Sequence, residues 1–415
     1  MVRFIHAADL HLDSPFKGIK SLPAFIWEAI YQSTFQALTR LVDLAIKEQV
    51  DFICLAGDIY DGEDRSVKAQ AYLKKEMTRL KEAHIPVYLI HGNHDYIEQQ
   101  GLHLDMPSNV MIFKETVETL YHETDQQERI ALTGFSYNKR WITEKRIADY
   151  PARRPDVDYH IGLLHGYQEG NSSEHDRYAP FHLTELKSKQ YDYWALGHIH
   201  KRQVLSERPL IVYSGNTQGR NRTESGPKGC YIVTLENRTE DIQFHSLAPI
   251  EWETVEVTLK GKQTLQEVYH VLNEVISQYQ QHTHSTLLTI ELTDTESLME
   301  GVLRKLHKGD LLEGLQEITH STPFVFVHQL SIQRKKEANL PSLIQLFPEE
   351  WQQTIMELQE DELFNEVTQS FFDSQRVEGV LQPRNETYRK KIVQLAEQEI
   401  RQQLGGPEGS DLNED

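Results

Sequence analysis

Residues 87–96 read Val-Tyr-Leu-Ile-His-Gly-Asn-His-Asp-Tyr, four apolar residues in a row that stop on a histidine and a glycine. A short apolar run without polar alternation is the pattern of a strand buried on both faces. The Asn93-His94-Asp95 that follows gathers amide, imidazole and carboxylate just past the strand end. The same arrangement recurs along the first 250 residues. Further runs are Val2 to His6, Phe52 to Ala56, Ile130 to Phe135, His160 to Leu164, Tyr193 to Leu196, Leu210 to Tyr213 and Cys230 to Leu235, most of them followed by Gly, Asp, Asn or His. Between the first runs, Ala24 to Glu48 and Ser66 to Ala83 carry helical spacing, with Phe35, Leu38, Leu41, Val42 and Ala45 on one stripe. Phe25, Ile26, Trp27, Ile30 and Tyr31 give the first helix more apolar surface than one face needs, which predicts core packing or a subunit contact. Alternating strands and helices predict an α/β layer architecture, and such sheets place ligands at the carboxyl ends of their strands.

Five short motifs stand at those ends: Asp9-Leu10-His11, Gly57-Asp58-Ile59-Tyr60-Asp61, Gly92-Asn93-His94-Asp95, His165-Gly166 and Gly197-His198-Ile199-His200. Their mixed oxygen and nitrogen donors suit transition metals such as Mn, Fe or Zn better than Mg or Ca. With 20 histidines in the chain, one H-x-H pair is expected about once by chance, and His282-Thr283-His284 reads as such a surface pair. The ordered set of five is what predicts a metal site. His6, His91 and His103 lie near the motifs and are expected to be structural rather than ligating.

The order DxH, GDxxD, GNHD, HG, GHxH resembles that of the calcineurin-like metallophosphoesterases, and covers about residues 1 to 235. Within that superfamily, FIHAADLHLDSP at residues 4–15, LIHGNHDY at 89–96, and Tyr213-Ser214-Gly215-Asn216 leading to Lys228-Gly229 resemble the SbcD-type DNA repair nucleases, in their YhaO-like branch. The resemblance implies a phosphoesterase sandwich of two mixed sheets flanked by helices, followed by a small α+β cap domain and a helical C-terminal region. It implies one divalent ion, Mn(II) before Fe or Zn, on Asp9, His11, Asp58 and His200, and a second on Asp58, Asn93, His165 and His198. Asp58 would bridge them, His94 would stabilise the transition state or protonate the leaving group, and Asp61 would orient His94. It further implies a homodimer and an SMC-like coiled-coil ATPase partner. That ATPase must act in trans, because no G-x-x-x-x-G-K-[ST] loop occurs in the chain.

The 415 residues predict more than one domain. The expected division is 1–250 for the nuclease domain, 251–335 for the cap, 336–404 for an acidic helical region that docks the partner, and 405–415 for a disordered tail. A net charge of −20 argues against a surface that binds nucleic acid everywhere. Residues 139–228 are the exception, with 15 Lys and Arg against 11 Asp and Glu, a local +4 that leaves −24 for the remainder. Lys201, Arg202, Arg220 and Arg222 flank the last two motifs and are the expected substrate-binding cations. The interleaved Tyr137, Trp141, Tyr150 and Tyr167 offer rings on which bases of single-stranded DNA stack. Cys54 and Cys230 alone are too few for a disulfide framework, and no long apolar run or signal-like start is present, so a cytoplasmic location without membrane contact is expected. Metal-dependent cleavage of DNA is the leading reading. Hydrolysis of small nucleotides or phosphoproteins is the second, and its phosphoprotein form is weakened because Gly62-Glu63 follows Asp61 where protein phosphatases of the superfamily typically carry an arginine. A mainly binding subunit with weak catalysis is the third, and the complete ligand set argues against it.

Overall fold

The computed structural model describes residues 1–16, 22–62, 65–96, 103–169, 178–236, 239–316, 323–333, 347–372 and 386–404. Two compact units divide the chain, Met1–Gln333 and Arg334–Asp415.

The first unit is built on two six-stranded mixed sheets. One has the order β12-β11-β1-β2-β3-β4, with β1 (Val2–Ala7), β2 (Phe52–Ala56), β3 (Val87–Ile90) and β4 (Val110–Ile112) parallel, and β11 (Gly229–Glu236) and β12 (Thr239–Ser246) adding an antiparallel flank. The other runs β5-β6-β7-β8-β10-β9. Here β6 (Arg129–Gly134), β7 (Tyr159–His165), β8 (Tyr193–Gly197) and β10 (Leu210–Tyr213) are parallel, while β5 (Glu118–Glu123) and β9 (Gln203–Glu207) close the edges antiparallel.

The period-2 geometry of a strand sorts its side chains into two cores. Phe4, Phe52, Cys54 and Ile90 point between the sheets, where they meet Leu132, Ile161, Leu163, Tyr193 and Val212. Phe4 stacks on Phe52 at 4.9 Å and meets Tyr193 edge-on at 5.3 Å. The alternate residues Ile5, Ile53, Leu55, Val87 and Leu89 face outward and are covered by α1 (Ala24–Glu48) and α2 (Val67–Glu82), through Leu38, Leu41, Val42, Leu73 and Met77. Ser66 caps α2 by accepting from the Ala69 N–H at 3.0 Å.

Residues 250–332 form a third sheet, β13 (Ile250–Thr258), β14 (Ser285–Thr293) and β15 (Val325–Ile332), whose strands are all parallel and joined by helices. A cluster of Ile250, Trp252, Leu287, Phe324 and Phe326 packs on Ile26 and Ile30 at the start of α1. The surplus apolar surface of that helix is therefore covered largely within the chain, leaving Trp27 38% exposed. In the second unit the helices Pro348–Glu357, Asp361–Phe372 and Glu386–Leu404 bury Phe364 and Val393, and Arg389 pairs with Asp361 at 2.6 Å. The expected tail at 405–415, Glu63, and the starts of the expected helical region lie outside the described residues.

Candidate metal centre

The nine residues expected as metal ligands or catalytic groups collect at the carboxyl ends of central strands. Asp9 and His11 follow β1, Asp58 and Asp61 follow β2, and Asn93 and His94 follow β3, while His165 ends β7 and His198 and His200 follow β8. Each sheet thus contributes part of one centre. Asp9, His11, Asp58 and His198 adopt φ of 52°, 43°, 48° and 99°, a region that non-glycine residues enter at a cost. The surrounding backbone holds them there: the N–H groups of Asp9 and His11 donate to the carbonyls of Gly57 and Asp58, each at 3.0 Å. Gly92 is required for the approach of these loops, since a Cβ there would lie 2.2 Å from Asp58 Oδ1.

His11 Nε2 and His200 Nε2 stand 3.0 Å apart. Behind each ring a carboxylate faces the other nitrogen: Asp61 Oδ1 is 2.9 Å from His11 Nδ1, and Glu224 Oε1 is 2.7 Å from His200 Nδ1. Carboxylates in those places favour the proton on Nδ1, so two Nε2 lone pairs converge with Asp9 beside them, an arrangement that suits a shared cation. On the other side, Asn93 Oδ1 is 3.0 Å from His165 Nε2 and 3.2 Å from His198 Nδ1. Asp58 Oδ2 lies between, 3.4 Å from His165 Nε2 and 3.8 Å from His11 Nε2. Three groups bring their ligand atoms within 4.8 Å of one another: Asp9, His11 and His200; Asp9, Asp58 and His165; and His11, Asp61 and His94. The residues present fit a pair of divalent ions.

Burial raises the Asp9 carboxyl, against the pull of His200 and His165. Burial also acts on Asp58, but His165 overrides it and holds Asp58 well below the usual carboxylate range. For His165, burial opposes protonation and Asp58 wins, raising it to about 9. His11 is lowered to about 3, chiefly by burial and then by Arg220. Without cations the cluster keeps a proton on His165 beside Asp58; ligation must displace it.

The structure alters some of these expectations and agrees with others. The Asp61 carboxylate faces His11, Arg220 and Ser14, and it is the Asp61 backbone carbonyl that meets His94, with Nδ1 at 3.2 Å. His91 is structural: its Nδ1 is 3.0 Å from Asp95, whose other oxygen accepts from the Gly92 N–H at 2.7 Å and so closes the loop. His6 joins the sheets through Tyr193 and the Leu196 carbonyl, and His103 is exposed. Tyr137, Tyr150 and Tyr167 are buried and cannot stack on bases, leaving only Trp141 of the four exposed. Several of the local cations are engaged: Lys139 with Glu144, Lys145 with Glu169, Arg146 with Asp149, Arg153 with Asp192 and Arg154 with Asp156. Lys201 is exposed, Arg202 lies over the Phe244 ring at 3.6 Å, and Arg222 donates to Gln329 at 2.7 Å. Arg220 reaches the centre, though against Asp61 rather than toward open solvent. His284 of the chance H-x-H pair lies 3.3 Å from Glu251. A cleft of about 790 Å³ opens beside the centre, lined by Asp61, Asn93, His94, Arg65, Arg140 and Arg220. Sequence reasoning missed Glu224, which belongs to none of the five motifs.

A strand-end site with this donor set, set between two mixed sheets, defines a metallophosphoesterase centre, and the comparisons agree. The calcineurin-like phosphoesterase family matches residues 2–202. The chain is 40% identical to the uncharacterized metallophosphoesterase YhaO of Bacillus subtilis, over 83% of this chain and 85% of that one. It is 25% identical to the DNA double-strand break repair protein Mre11 of Saccharolobus solfataricus, over 74% and 78% of the two chains, and 22% identical to the Mre11 of Thermoplasma acidophilum, over 74% and 80%. The chain belongs to the calcineurin-like phosphoesterases, hydrolases that use a dinuclear metal site. Among the described residues no helix is long and apolar enough to cross a membrane.

Proposed function

We propose that this chain is a two-metal phosphodiesterase that cleaves DNA, with Mn(II) as the working ion. The observation that carries the metal reading is the convergence of the His11 and His200 Nε2 atoms at 3.0 Å with a carboxylate behind each ring. Asp9, His11, Asp58 and His200 would hold one ion and Asp58, Asn93, His165 and His198 the other. Two such ions would supply charge neutralisation at the phosphoryl oxygens and a hydroxide at neutral pH. The chain's own residues do the rest. Asp58, negative and buried, offsets charge between the two clusters. His94 is fixed by the Asp61 carbonyl at Nδ1, which leaves Nε2 as the atom that would hand a proton to the leaving alkoxide. Arg65 and Arg140 on the cleft wall would meet phosphates flanking the scissile one.

The DNA substrate rests on the relatives named as double-strand break repair proteins and on the sequence motifs, not on the basic segment, several of whose cations are paired within the chain. A homodimer and an SMC-like ATPase partner docked on the acidic helices of residues 336–404 complete the reading. The test is Mn(II)-dependent cleavage of end-labelled single- and double-stranded DNA beside a phosphomonoester. DNA cleavage that vanishes in His94→Ala supports the proposal. Monoester or small-nucleotide hydrolysis with intact DNA overturns the substrate and keeps the centre.

A further inference from the structure

Glu224 touches the centre from the loop between β10 and β11. Its Oε1 is 2.7 Å from His200 Nδ1, and its Oε2 accepts from the Asn216 side-chain amide at 2.7 Å and from the Arg220 backbone N–H at 2.8 Å. The Arg220 guanidinium donates to Asp61, and its Nε lies 3.8 Å from Glu224 Oε1. Asp61 in turn faces His11 Nδ1. Two carboxylates therefore stand behind the two opposed imidazoles, and one guanidinium touches both. The backbone of His200 is fixed as well, its carbonyl accepting from the Asn216 N–H at 3.3 Å and from Lys228 Nζ at 3.2 Å. The ring facing the other cluster is held differently: His165 Nδ1 meets the Ala56 backbone carbonyl at 3.0 Å, and the nearest carboxylate oxygen on that side, Asp9 Oδ1, stands farther off at 3.9 Å.

We propose that Glu224 and Asp61, bridged by Arg220, form a clasp that makes the two cation positions unequal: the position faced by His11 and His200 binds tightly, and the one faced by His165 and His198 binds weakly. A carboxylate hydrogen-bonded to an imidazole raises its basicity and locks its orientation more than a neutral carbonyl does. Glu224, Asp61 and Arg220 are positioning residues in this arrangement. The inference rests on the two-metal reading above.

Titration of the full chain with Mn(II), followed by the paramagnetic resonance of free Mn(II), tests it. The wild type shows two steps of unequal affinity. Glu224→Gln weakens the tighter step by about 10- to 100-fold and leaves the weaker one within about twofold. Arg220→Met, which keeps both carboxylates, weakens the same step by a smaller factor and carries the test if Glu224→Gln does not fold. In Glu224→Gln DNA cleavage recovers at saturating Mn(II), so the loss lies in metal dependence and not in kcat. Equal loss at both steps, no loss, or loss confined to the weaker step overturns the clasp. A wild type that binds two Mn(II) ions unequally yet cleaves no DNA retires the nuclease reading and leaves the clasp standing; one that binds none retires both.

Discussion

Replacing Gly92 by alanine probes the centre without removing any donor. The added Cβ would lie 2.2 Å from Asp58 Oδ1, 2.8 Å from the Asp58 backbone nitrogen and 2.8 Å from His165 Cε1, where ordinary contact begins at 3.4 Å. Asp58 must therefore retreat by about 1 Å, and its backbone, pinned at φ 48° and bonded to the His11 N–H, gives little room. Overpacking of this kind costs about 1–3 kcal/mol of stability. A misplacement of about 1 Å in a reacting constellation costs about 100-fold in rate. Gly314→Ala is the control, because nothing lies within 4 Å of the Cβ it would add. Urea unfolding gives the stability and initial rates of phosphodiester hydrolysis give kcat/KM. The expected result is a roughly 100-fold loss of kcat/KM in Gly92→Ala with the control unchanged. A Gly92→Ala protein within twofold of wild type would refute the placement of Asp58 at the heart of the centre.

His94→Ala should lower kcat by about 10²- to 10⁴-fold with the Mn(II) stoichiometry intact; loss of an ion on titration would instead make His94 a ligand, as its grouping with His11 and Asp61 allows. Burial holds His6 at about 3 and His160 at about 4, below the unfolded value near 6.5. The unfolded chain then binds more protons, so the metal-free protein should lose stability as pH falls from about 6.5 toward 4, by roughly 1.4 kcal/mol per pH unit for each group. Urea midpoints along that range check it, with a shallower slope expected in His6→Gln and an unchanged slope counting against it. Trp252→Phe strands the Gly219 carbonyl that the indole N–H meets at 3.1 Å, and should cost about 1–3 kcal/mol in urea unfolding; a change under about 0.5 kcal/mol would show that the carbonyl finds another partner.

The eight strands legible in the sequence are the inner strands of both sheets, β1, β2, β3, β6, β7, β8, β10 and β11. The four that were not, β4, β5, β9 and β12, are the four sheet edges. Three of these edges, β5, β9 and β12, are half solvated and carry mixed polarity, as Glu118–Glu123 does, so they show no apolar run, while β4, Val-Met-Ile, is apolar but only three residues long. The parallel course of the third sheet was equally hidden, because burial pattern alone does not report strand direction. At the centre, the motif residues stood out because Gly57, Gly92, Gly166 and Gly197 mark four of the five strand ends and the chemistry demands donors. Glu224 had no such neighbours, and only folding brings its loop behind His200. The tyrosines misled for a different reason: Tyr137 and Tyr150 spend their hydroxyls on the carbonyls of His165 and Leu163, at 2.9 and 2.6 Å, and behave as core.

Asp9, Asp58 and Asn93 hang from one sheet, and His165, His198 and His200 from the other. On the proposed ligand assignment neither half carries a complete cage, so the ions would be captured only after the halves have docked across Phe4, Phe52 and Tyr193. Capture would then work as a rivet through the seam. Each ion at a hundred times its dissociation constant adds about 2.7 kcal/mol against separation of the sheets. Chelation should therefore loosen the sandwich along that seam first, and hydrogen exchange at the inner faces of β2 and β8 would register the departure of the metal before any global unfolding.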